Sequence, residues 1–218
     1  MIANRPTDTH GWAAPADPAD PPTHSDRAAP VPAGAWEIRA ARQGDAAVLT
    51  RLFLKLHLFN ASLDPRFALA EDWERHFAAV LDRALAGGER LALLARDRAN
   101  AQPIGLALAA LHRDAPLWQH RTWVEVEALY VELDWRGTGL AEALLAPVSD
   151  WARRLGEPVL QLYVTSTNVR AVRFYEDQGF RPVQSIMRKV LAAPASTARE
   201  HRMFGHVSQP ASGKERIP

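Results

Sequence analysis

The 218-residue sequence contains no cysteine, and this absence excludes three kinds of chemistry. Without a thiol the chain can form no disulfide, no thiolate-bound metal site and no covalent acyl-cysteine intermediate. The eight histidines do not suggest a metal site either, because none of them stands in H-E-x-x-H or another paired ligand spacing. The sequence therefore predicts no metal site.

Long apolar runs are also absent. The longest uncharged stretch, residues 99–112, is too short to cross a bilayer, and the opening residues MIANRPTDTHGW carry no apolar run of the kind that a secretory signal needs. Charge of one sign is not in excess, since 26 basic and 25 acidic residues leave a net charge of +1. Such a balance gives no broad basic field. We therefore expect a soluble cytoplasmic protein that binds neither nucleic acid nor membrane.

Proline is concentrated at the start of the chain, where residues 1–34 hold seven of the 16 prolines. This segment has too few apolar residues to offset its chain entropy, so a disordered extension is predicted. The alternative is a partner-docking arm anchored by Trp12. Residues 192–218 are predicted to be a flexible polar tail. The stretch between them, residues 35–191, is long enough for one folded domain.

Within this domain, apolar periodicity alternates between that of strands and that of helices, which is typical of an α/β fold. Asp45 stands at the N-cap position of the first helix, glycines follow the second and third helices, and Pro147 should kink the third. The second and third strands should pair antiparallel across a polar turn. Strands are predicted at Trp36–Ala40, Leu91–Ala95, Ile104–Leu111, Trp123–Val131, Val159–Val164 and Phe180–Leu191, and helices at Ala46–Phe59, Asp72–Leu85, Gly139–Leu155 and Val169–Gln178.

The strand Trp123–Val131 carries two acidic residues. Side chains alternate between the two faces of a strand. Alternation places Val124, Val126 and Ala128 on one face and Glu125, Glu127 and Leu129 on the other. Two carboxylates are therefore predicted to share a face.

A turn with two glycines, Gly137 and Gly139, joins that strand to the next helix. Glycine lets the backbone approach a ligand closely, and the free N–H groups at the start of a helix attract anions. A pyrophosphate is therefore the expected ligand. A P-loop is excluded because no lysine or hydroxyl stands where it is needed. A dinucleotide fingerprint fails because Glu142 occupies the place of its third glycine.

The same turn resembles the acyl-CoA pyrophosphate loop of the GNAT superfamily of N-acetyltransferases, whose pattern R-x-x-G-x-A is matched by Arg136, Gly139 and Ala141. A second block, Asn168–Phe180, is similar to the family's N-x-x-A-x-x-F-Y-x-x-x-G-F segment. A fainter likeness is I-R-A-A at residues 38–41, with Asp45 after it. The resemblance covers residues 36–191.

This resemblance implies a fold and a co-substrate. The fold is α/β, a mixed and mostly antiparallel sheet of about six or seven strands flanked by about four helices. Acetyl-CoA is the implied co-substrate. The residues implied to bind it are Leu129, Val131, Arg136, Gly137, Thr138, Gly139, Leu140, Ala141, Asn168 and Tyr175. Of these, Leu129 and Val131 would act through their backbone on the pantetheine arm.

The implied reaction needs a free amine, a stabilised oxyanion and a proton for the departing thiolate. The carboxylates of Glu127, ranked first, and Glu125 are the candidates to remove the ammonium proton. The resemblance leaves Tyr175 as the acid. A phenol with a pKa of about 10 and a thiolate with a pKa of about 8.5 to 9 are mismatched by only about a unit. Without cysteine, direct transfer in a ternary complex is expected.

The acceptor is expected to be the primary amine of a small molecule. By resemblance it would bind between residues 59–73 and residues 182–187, where Asp64, Glu71 and Asp72 would suit a cationic amine. A protein amine, an aminoglycoside and an amino acid also stay open. A non-catalytic acyl-CoA-binding regulatory module is the alternative function, and a homodimer is left open.

Overall fold

The computed structural model describes residues 34–189. The predicted tail at 192–218 and the predicted extension at 1–34, apart from Gly34, lie outside the described residues. Residues 34–189 contain five strands and four α-helices. The strands are β1 (Trp36–Ala40), β2 (Arg90–Asp97), β3 (Pro103–Arg113), β4 (Thr122–Val131) and β5 (Leu160–Leu162), and the helices are α1 (Ala46–Leu63), α2 (Trp73–Ala86), α3 (Leu140–Arg154) and α4 (Val169–Asp177).

The strands form one sheet in the order β1-β2-β3-β4-β5. Pairing from β1 to β4 is antiparallel, which confirms the predicted meander of the second and third strands. The last strand, β5, is parallel to β4, and α3 lies in the connection between them. A parallel neighbour requires such a crossover, so the strand–helix–strand unit sits at one side of an otherwise antiparallel sheet.

The two faces of the sheet are covered by different helices. Helix α3 packs on one face through its apolar stripe, and α1 and α2 pack on the other face. Four residues of the predicted α3 stripe are buried as expected, whereas Leu155, beyond the helix end, is exposed. The stripe is Leu140, Leu144, Val148 and Trp151. Helix α3 is continuous through Pro147.

A glycine on β3 allows α3 to approach the sheet. A Cβ atom added to Gly105 would lie 2.9 Å from the carbonyl oxygen of Tyr130 and 3.0 Å from a methyl carbon of Leu144. Both distances are shorter than a normal carbon contact, so this position tolerates no side chain without movement of the strand or the helix. Gly105 thus fixes how closely α3 lies beside β4, the strand that leads into the glycine turn.

Asp45 holds the start of α1 against the sheet instead of capping the helix. It occupies the N-cap position, as predicted, but its side chain accepts no hydrogen bond from a helical N–H. Its buried carboxylate instead accepts bonds from Arg39 at 2.7 and 2.9 Å, from Arg96 at 3.1 Å and from the N–H of Arg42 at 2.8 Å. Arg39 above all, with Arg42 and Arg96, holds the pKa of this carboxyl far below its usual range despite burial.

The last predicted strand, Phe180–Leu191, is not formed in the residues that are described: residues 180–189 have no regular structure. The apolar residues of the described part of this stretch stand at 180, 183, 186 and 187 and do not alternate, whereas burial of one strand face requires a spacing of two. Val183 and Ile186 are accordingly exposed. Residues 182–187, expected to form half of the acceptor site, belong to a unit separate from residues 34–180 and add no strand to the sheet.

None of the helices between residues 34 and 189 combines the length and the apolar character needed to cross a membrane.

Helix α1 is longer than predicted and ends at Leu63 instead of Phe59. A 3₁₀ turn, Pro65–Phe67, follows and takes the place of the end of the predicted loop.

Candidate active site

A β-bulge lies in the middle of β4. Ala109 of β3 pairs with Val126 and Leu108 pairs with Ala128, so Glu127 has no partner in the β3–β4 ladder. One extra residue reverses the alternation of side chains beyond it. Val124 and Val126 pack on the α3 side, but Ala128 packs on the α1 and α2 side. The predicted common face of Val124, Val126 and Ala128 is therefore wrong.

Beyond the bulge, one edge of β4 has no strand partner among the described residues. The ladder with β5 covers only Val124 to Val126 of β4, because β5 ends at Leu162. On the other side, the N–H of Glu132 donates to the carbonyl of Ile104 at 2.9 Å, which fixes the phase of the β3 ladder. Hydrogen-bonded and non-bonded pairs alternate in such a ladder. Leu129 and Val131 consequently direct their N–H and C=O groups to the open edge.

The glycine turn follows directly after this edge. Gly137 and Gly139 have φ angles of +78° and +90°, in the left-handed region that glycine adopts at least cost. A Cβ atom at either position would meet no atom within 4 Å, so both glycines border open space. The first backbone hydrogen bond of α3 runs from the N–H of Ala143 to the carbonyl of Gly139. The N–H groups of Leu140, Ala141 and Glu142 therefore remain available to an anion.

The polar side chains in this turn do not point into the same space. Thr138 donates its hydroxyl to the carbonyl of Trp135 at 2.7 Å. Arg136 donates Nε to the carbonyl of Val131 at 3.0 Å. Its guanidinium carbon lies 5.5 Å from the ring centre of Phe59 and 5.8 Å from that of Tyr130. The groups of this turn that remain available to an anion are therefore backbone N–H groups.

Helix α4 places the remaining predicted residues. The side chain of Asn168 accepts a hydrogen bond from the N–H of Ala171 at 3.2 Å and so caps α4. Tyr175 contacts the rings of Phe174 and Phe180, with ring centres 5.1 and 5.6 Å apart. Burial raises the pKa of Tyr175 to about 12. Phe180 packs against the α3 side of the core, but Phe174, predicted to be a core residue, is only half-buried.

The two strand carboxylates differ in their partners. Glu127, at the bulge, accepts two hydrogen bonds from Nη1 of Arg90 at 2.8 and 3.0 Å. Glu125 pairs in register with Ala110 and Gln161, on the face opposite to Val124 and Val126. Within residues 34–189 its carboxylate has no ion-pair or hydrogen-bond partner. Glu125 is therefore the half-buried carboxylate that is free to meet a ligand.

The acidic residues predicted near the acceptor are mostly neutralised by their neighbours. Asp64 binds the guanidinium and the N–H of Arg66, and these bonds lower the pKa of its carboxyl. Asp72 is paired with Arg75 at 2.8 Å and with His76 at 3.1 Å, with the same effect on its pKa. The cationic preference expected from these two aspartates is therefore weak.

Glu71 lines a cavity of about 350 Å³ between α1, the segment after it and the start of α2. Most of the lining is apolar, and the other polar side chain is His57. Burial lowers the pKa of His57, against a hydrogen bond to the Phe67 backbone that raises it, so the imidazole is neutral near pH 7. The cavity presents one charged group in an apolar wall, formed by Leu54, Leu58, Ala61, Ala68, Leu69, Ala70 and Trp73.

Sequence reasoning missed Arg90 and the side-chain contacts of Arg136. No local pattern marks Arg90, because its bond to Glu127 depends on the register of three strands. The signal for Arg136 was present in its motif, but the motif gives the position of the residue and not the direction of its side chain.

Comparison with known protein families gives a match to most of residues 34–189. The model of the Acetyltransferase (GNAT) family matches residues 56–180, more than half of the chain. The mycothiol acetyltransferase of Propionibacterium freudenreichii is 40% identical over 86 residues, which cover 39% of this chain and 26% of that relative. The matched part thus spans about a quarter of the length of this curated relative.

Solved structures show the same fold. A Bacillus halodurans protein, solved as a tetramutant, has a TM-score of 0.62 at 22% identity and covers 71% of this chain and 99% of its own. An aminoglycoside N-acetyltransferase in complex with a bisubstrate analogue of CoA and acetylneamine has a TM-score of 0.57 at 18% identity, over 72% of this chain and 99% of its own. The five-stranded sheet and its four helices agree with these folds, although the sheet has fewer strands than predicted. The chain therefore belongs to the GNAT family of acetyltransferases.

Proposed function

We propose that this protein is an N-acetyltransferase that moves an acetyl group from acetyl-CoA to a primary amine of a small molecule, by direct transfer in a ternary complex. One observation carries the proposal: the open edge of β4 leads, within a few residues, into a turn whose two glycines border open space beside the free N–H groups of α3. An extended amide chain fits the first feature and a pyrophosphate fits the second. Acetyl-CoA joins these two groups in one molecule.

The proposed contacts with acetyl-CoA follow from this order. Leu129 and Val131 would bond the amides of the pantetheine arm through their backbone, as an added strand does. Gly137 to Ala141 would hold the pyrophosphate at the positive end of the α3 dipole. A fold relative has been solved with a CoA-containing bisubstrate analogue, which supports a CoA thioester as the donor. Asn168, whose side chain caps α4, would contribute through the placement of Tyr175.

The proposed reaction needs no covalent enzyme intermediate. A strand carboxylate takes a proton from the ammonium group of the acceptor, and the amine nitrogen then forms a bond to the thioester carbon. The N–H of Leu129 would stabilise the oxyanion of the tetrahedral intermediate. When the C–S bond breaks, the thiolate takes a proton from Tyr175 and the nitrogen loses its second proton to solvent, so that the acetylated amine and CoA leave. The strand carboxylate then releases its proton to solvent. Solvent returns the phenol proton.

The structure favours Glu125 over Glu127 as the base in this proposal. The carboxylate of Glu127 is already engaged by Arg90, whereas that of Glu125 has no partner within the described residues. Arg90 offsets the charge of Glu127, so Arg90 and the two carboxylates together carry a net charge of about −1. One free carboxylate suits the ammonium group of a single amine.

Tyr175 is proposed as the acid because burial keeps its phenol protonated. A raised pKa of about 12 makes it a weaker acid than the ordinary phenol assumed from sequence. The mismatch with a CoA thiolate thus grows to about three units, which is a larger barrier to proton donation. Donation is still feasible when the thiolate lies within hydrogen-bond reach and water is excluded.

The experiment that tests the function incubates the protein with acetyl-CoA and a panel of amines. The free thiol that is released is measured with a disulfide reagent that changes colour when it reacts with a thiol. Because the protein has no cysteine, all of the thiol signal comes from CoA. Small amines and a lysine-containing peptide should be compared, since a protein amine is the alternative acceptor. Acetyl-CoA binding without thiol release on any amine would favour a non-catalytic acyl-CoA-binding module. The control is the Glu125→Gln/Tyr175→Phe double variant.

A further inference from the structure

Arg136 stands between the open edge of β4 and the glycine turn, where a cation would be expected to contact phosphate. Its side chain instead bonds to β4 and lies near two aromatic rings. Nε donates to the carbonyl of Val131 at 3.0 Å, and the guanidinium carbon lies within 6 Å of the ring centres of Phe59 and Tyr130. These are distances at which a cation is attracted to an aromatic face.

The hydrogen bond occupies one end of the open edge. Leu129 and Val131 together direct two N–H and two C=O groups to that edge, and Arg136 already binds the carbonyl of Val131. The groups left for a ligand are the N–H and C=O of Leu129 and the N–H of Val131. An amide chain that adds to the edge would therefore pair no further than the N–H of Val131 while Arg136 holds that carbonyl.

We propose that Arg136 is a positioning residue that sets the register of the pantetheine arm on β4, and that it is not a ligand of the phosphates. The inference rests on the proposed acetyl-CoA binding. A slip of the arm by one repeat along a strand is two residues, or about 7 Å. Such a slip would carry the thioester away from Glu125 and Tyr175.

Neighbouring side chains hold the guanidinium in this orientation. Phe59 comes from α1, and Tyr130 donates its hydroxyl to Glu132 at 3.1 Å. Glu132 is in turn paired with Lys55 of α1 at 2.5 Å. A lysine at position 136 would keep the charge but lose the planar guanidinium that lies over the rings of Phe59 and Tyr130. The two roles of Arg136, positioning and phosphate binding, can therefore be separated by substitution.

The test compares two probes by isothermal titration calorimetry: acetyl-CoA, and 3′-phospho-ADP, which has the phosphates of CoA but no pantetheine. Without the guanidinium on the carbonyl of Val131 the pantetheine arm is no longer held in one register, so the Kd for acetyl-CoA should rise by about tenfold in Arg136→Lys. The Kd for 3′-phospho-ADP should change by less than about threefold, since only the backbone of the turn binds it. The control Arg154→Gln, at the far end of α3, matches Arg136→Gln in charge change.

Two outcomes would overturn the inference. The first is an equal loss of affinity for both probes in Arg136→Gln that is restored in Arg136→Lys, because a residue that binds phosphate through its charge behaves in this way. The second is unchanged acetyl-CoA binding in both Arg136 variants. If Arg136→Lys fails to fold, Phe59→Leu replaces it, because this variant keeps the Arg136 side chain and removes one of the rings that it contacts. A smaller loss of affinity is then expected, for acetyl-CoA alone. Binding requires no acceptor, so failure to find an acetylated amine would affect the proposed function without affecting this result.

Discussion

Arg90, the first residue of β2, reaches across β3 and donates two hydrogen bonds to the carboxylate of Glu127, at 2.8 and 3.0 Å. Glu127 is the extra residue of the β4 bulge. Two residues earlier, Glu125 has no such partner within residues 34–189. The two carboxylates of one strand are therefore expected to have different roles, with Glu125 as the base and Glu127 as part of the bulge.

Replacement of Glu125 by Gln should lower kcat/KM by about 100-fold or more, the usual contribution of a general base. Part of this loss should return as the pH is raised, because more of the acceptor amine is then unprotonated. Glu127→Gln is the matched control and should lose less activity at every pH. A larger loss in Glu127→Gln would identify Glu127 as the base, oriented by Arg90. The measurement is a pH–rate profile of both variants.

Tyr175→Phe keeps the ring and removes only the hydroxyl. If Tyr175 donates the proton to the thiolate, kcat should fall by about 100-fold or more, with little change in the Kd for acetyl-CoA. Tyr163→Phe, at an exposed tyrosine, is the control. Full kcat in Tyr175→Phe, with chemistry rate-limiting, would show that the thiolate takes its proton from water.

The pKa of Tyr175 also predicts how stability depends on pH. The pKa of the phenol is about 12 in the folded protein and about 10 in the unfolded chain. Stability linked to this group is therefore fully present below about pH 10 and is lost as the pH rises toward 12. Denaturant melts of wild type and Tyr175→Phe should diverge only above about pH 10. Divergence that begins near pH 8 would contradict the raised pKa.

Gly139→Glu should abolish the increase in melting temperature that acetyl-CoA produces. The change puts a side chain and a negative charge into the open space beside the N-terminus of α3. Gly156→Glu is a close control, because Gly156 also has a positive φ, +77°, and open space around its Cβ position, but stands after the other end of α3. An unchanged acetyl-CoA shift in folded Gly139→Glu would contradict the pyrophosphate site.

Asp45→Asn should destabilise the domain by about 3–5 kcal/mol, because Arg39 and Arg96 lose their buried counter-charge. Asp150→Asn removes an exposed partner of Arg153 and should change stability by less than about 1 kcal/mol. The pKa of Asp45 is lowered on folding, so its contribution is present above about pH 4 and declines as the pH falls below it. Denaturant melts of wild type and Asp45→Asn should therefore differ less at pH 3 than at pH 7. Equal stability of Asp45→Asn and Asp150→Asn would contradict the prediction.

Local sequence was sufficient for features that depend on a few consecutive residues. The buried stripe of α3, the glycine turn with positive φ at Gly137 and Gly139, and the start of α4 capped by Asn168 all follow from residues within one or two helical turns. Period, capping and glycine conformation are short-range effects, so they can be interpreted without knowledge of the partners. The family and its general fold followed from two such motifs.

Tertiary structure decided what depends on register between distant segments. The bulge at Glu127, its bond to Arg90 and the open edge at Leu129 and Val131 exist only because β3 and β4 pair with one residue unmatched and β5 ends early. Alternation along a single strand cannot show an unmatched residue, because the mismatch is a property of the pairing between two strands. For the same reason the motif marks the position of Arg136, while contacts with Phe59 and Val131 decide where its charge lies.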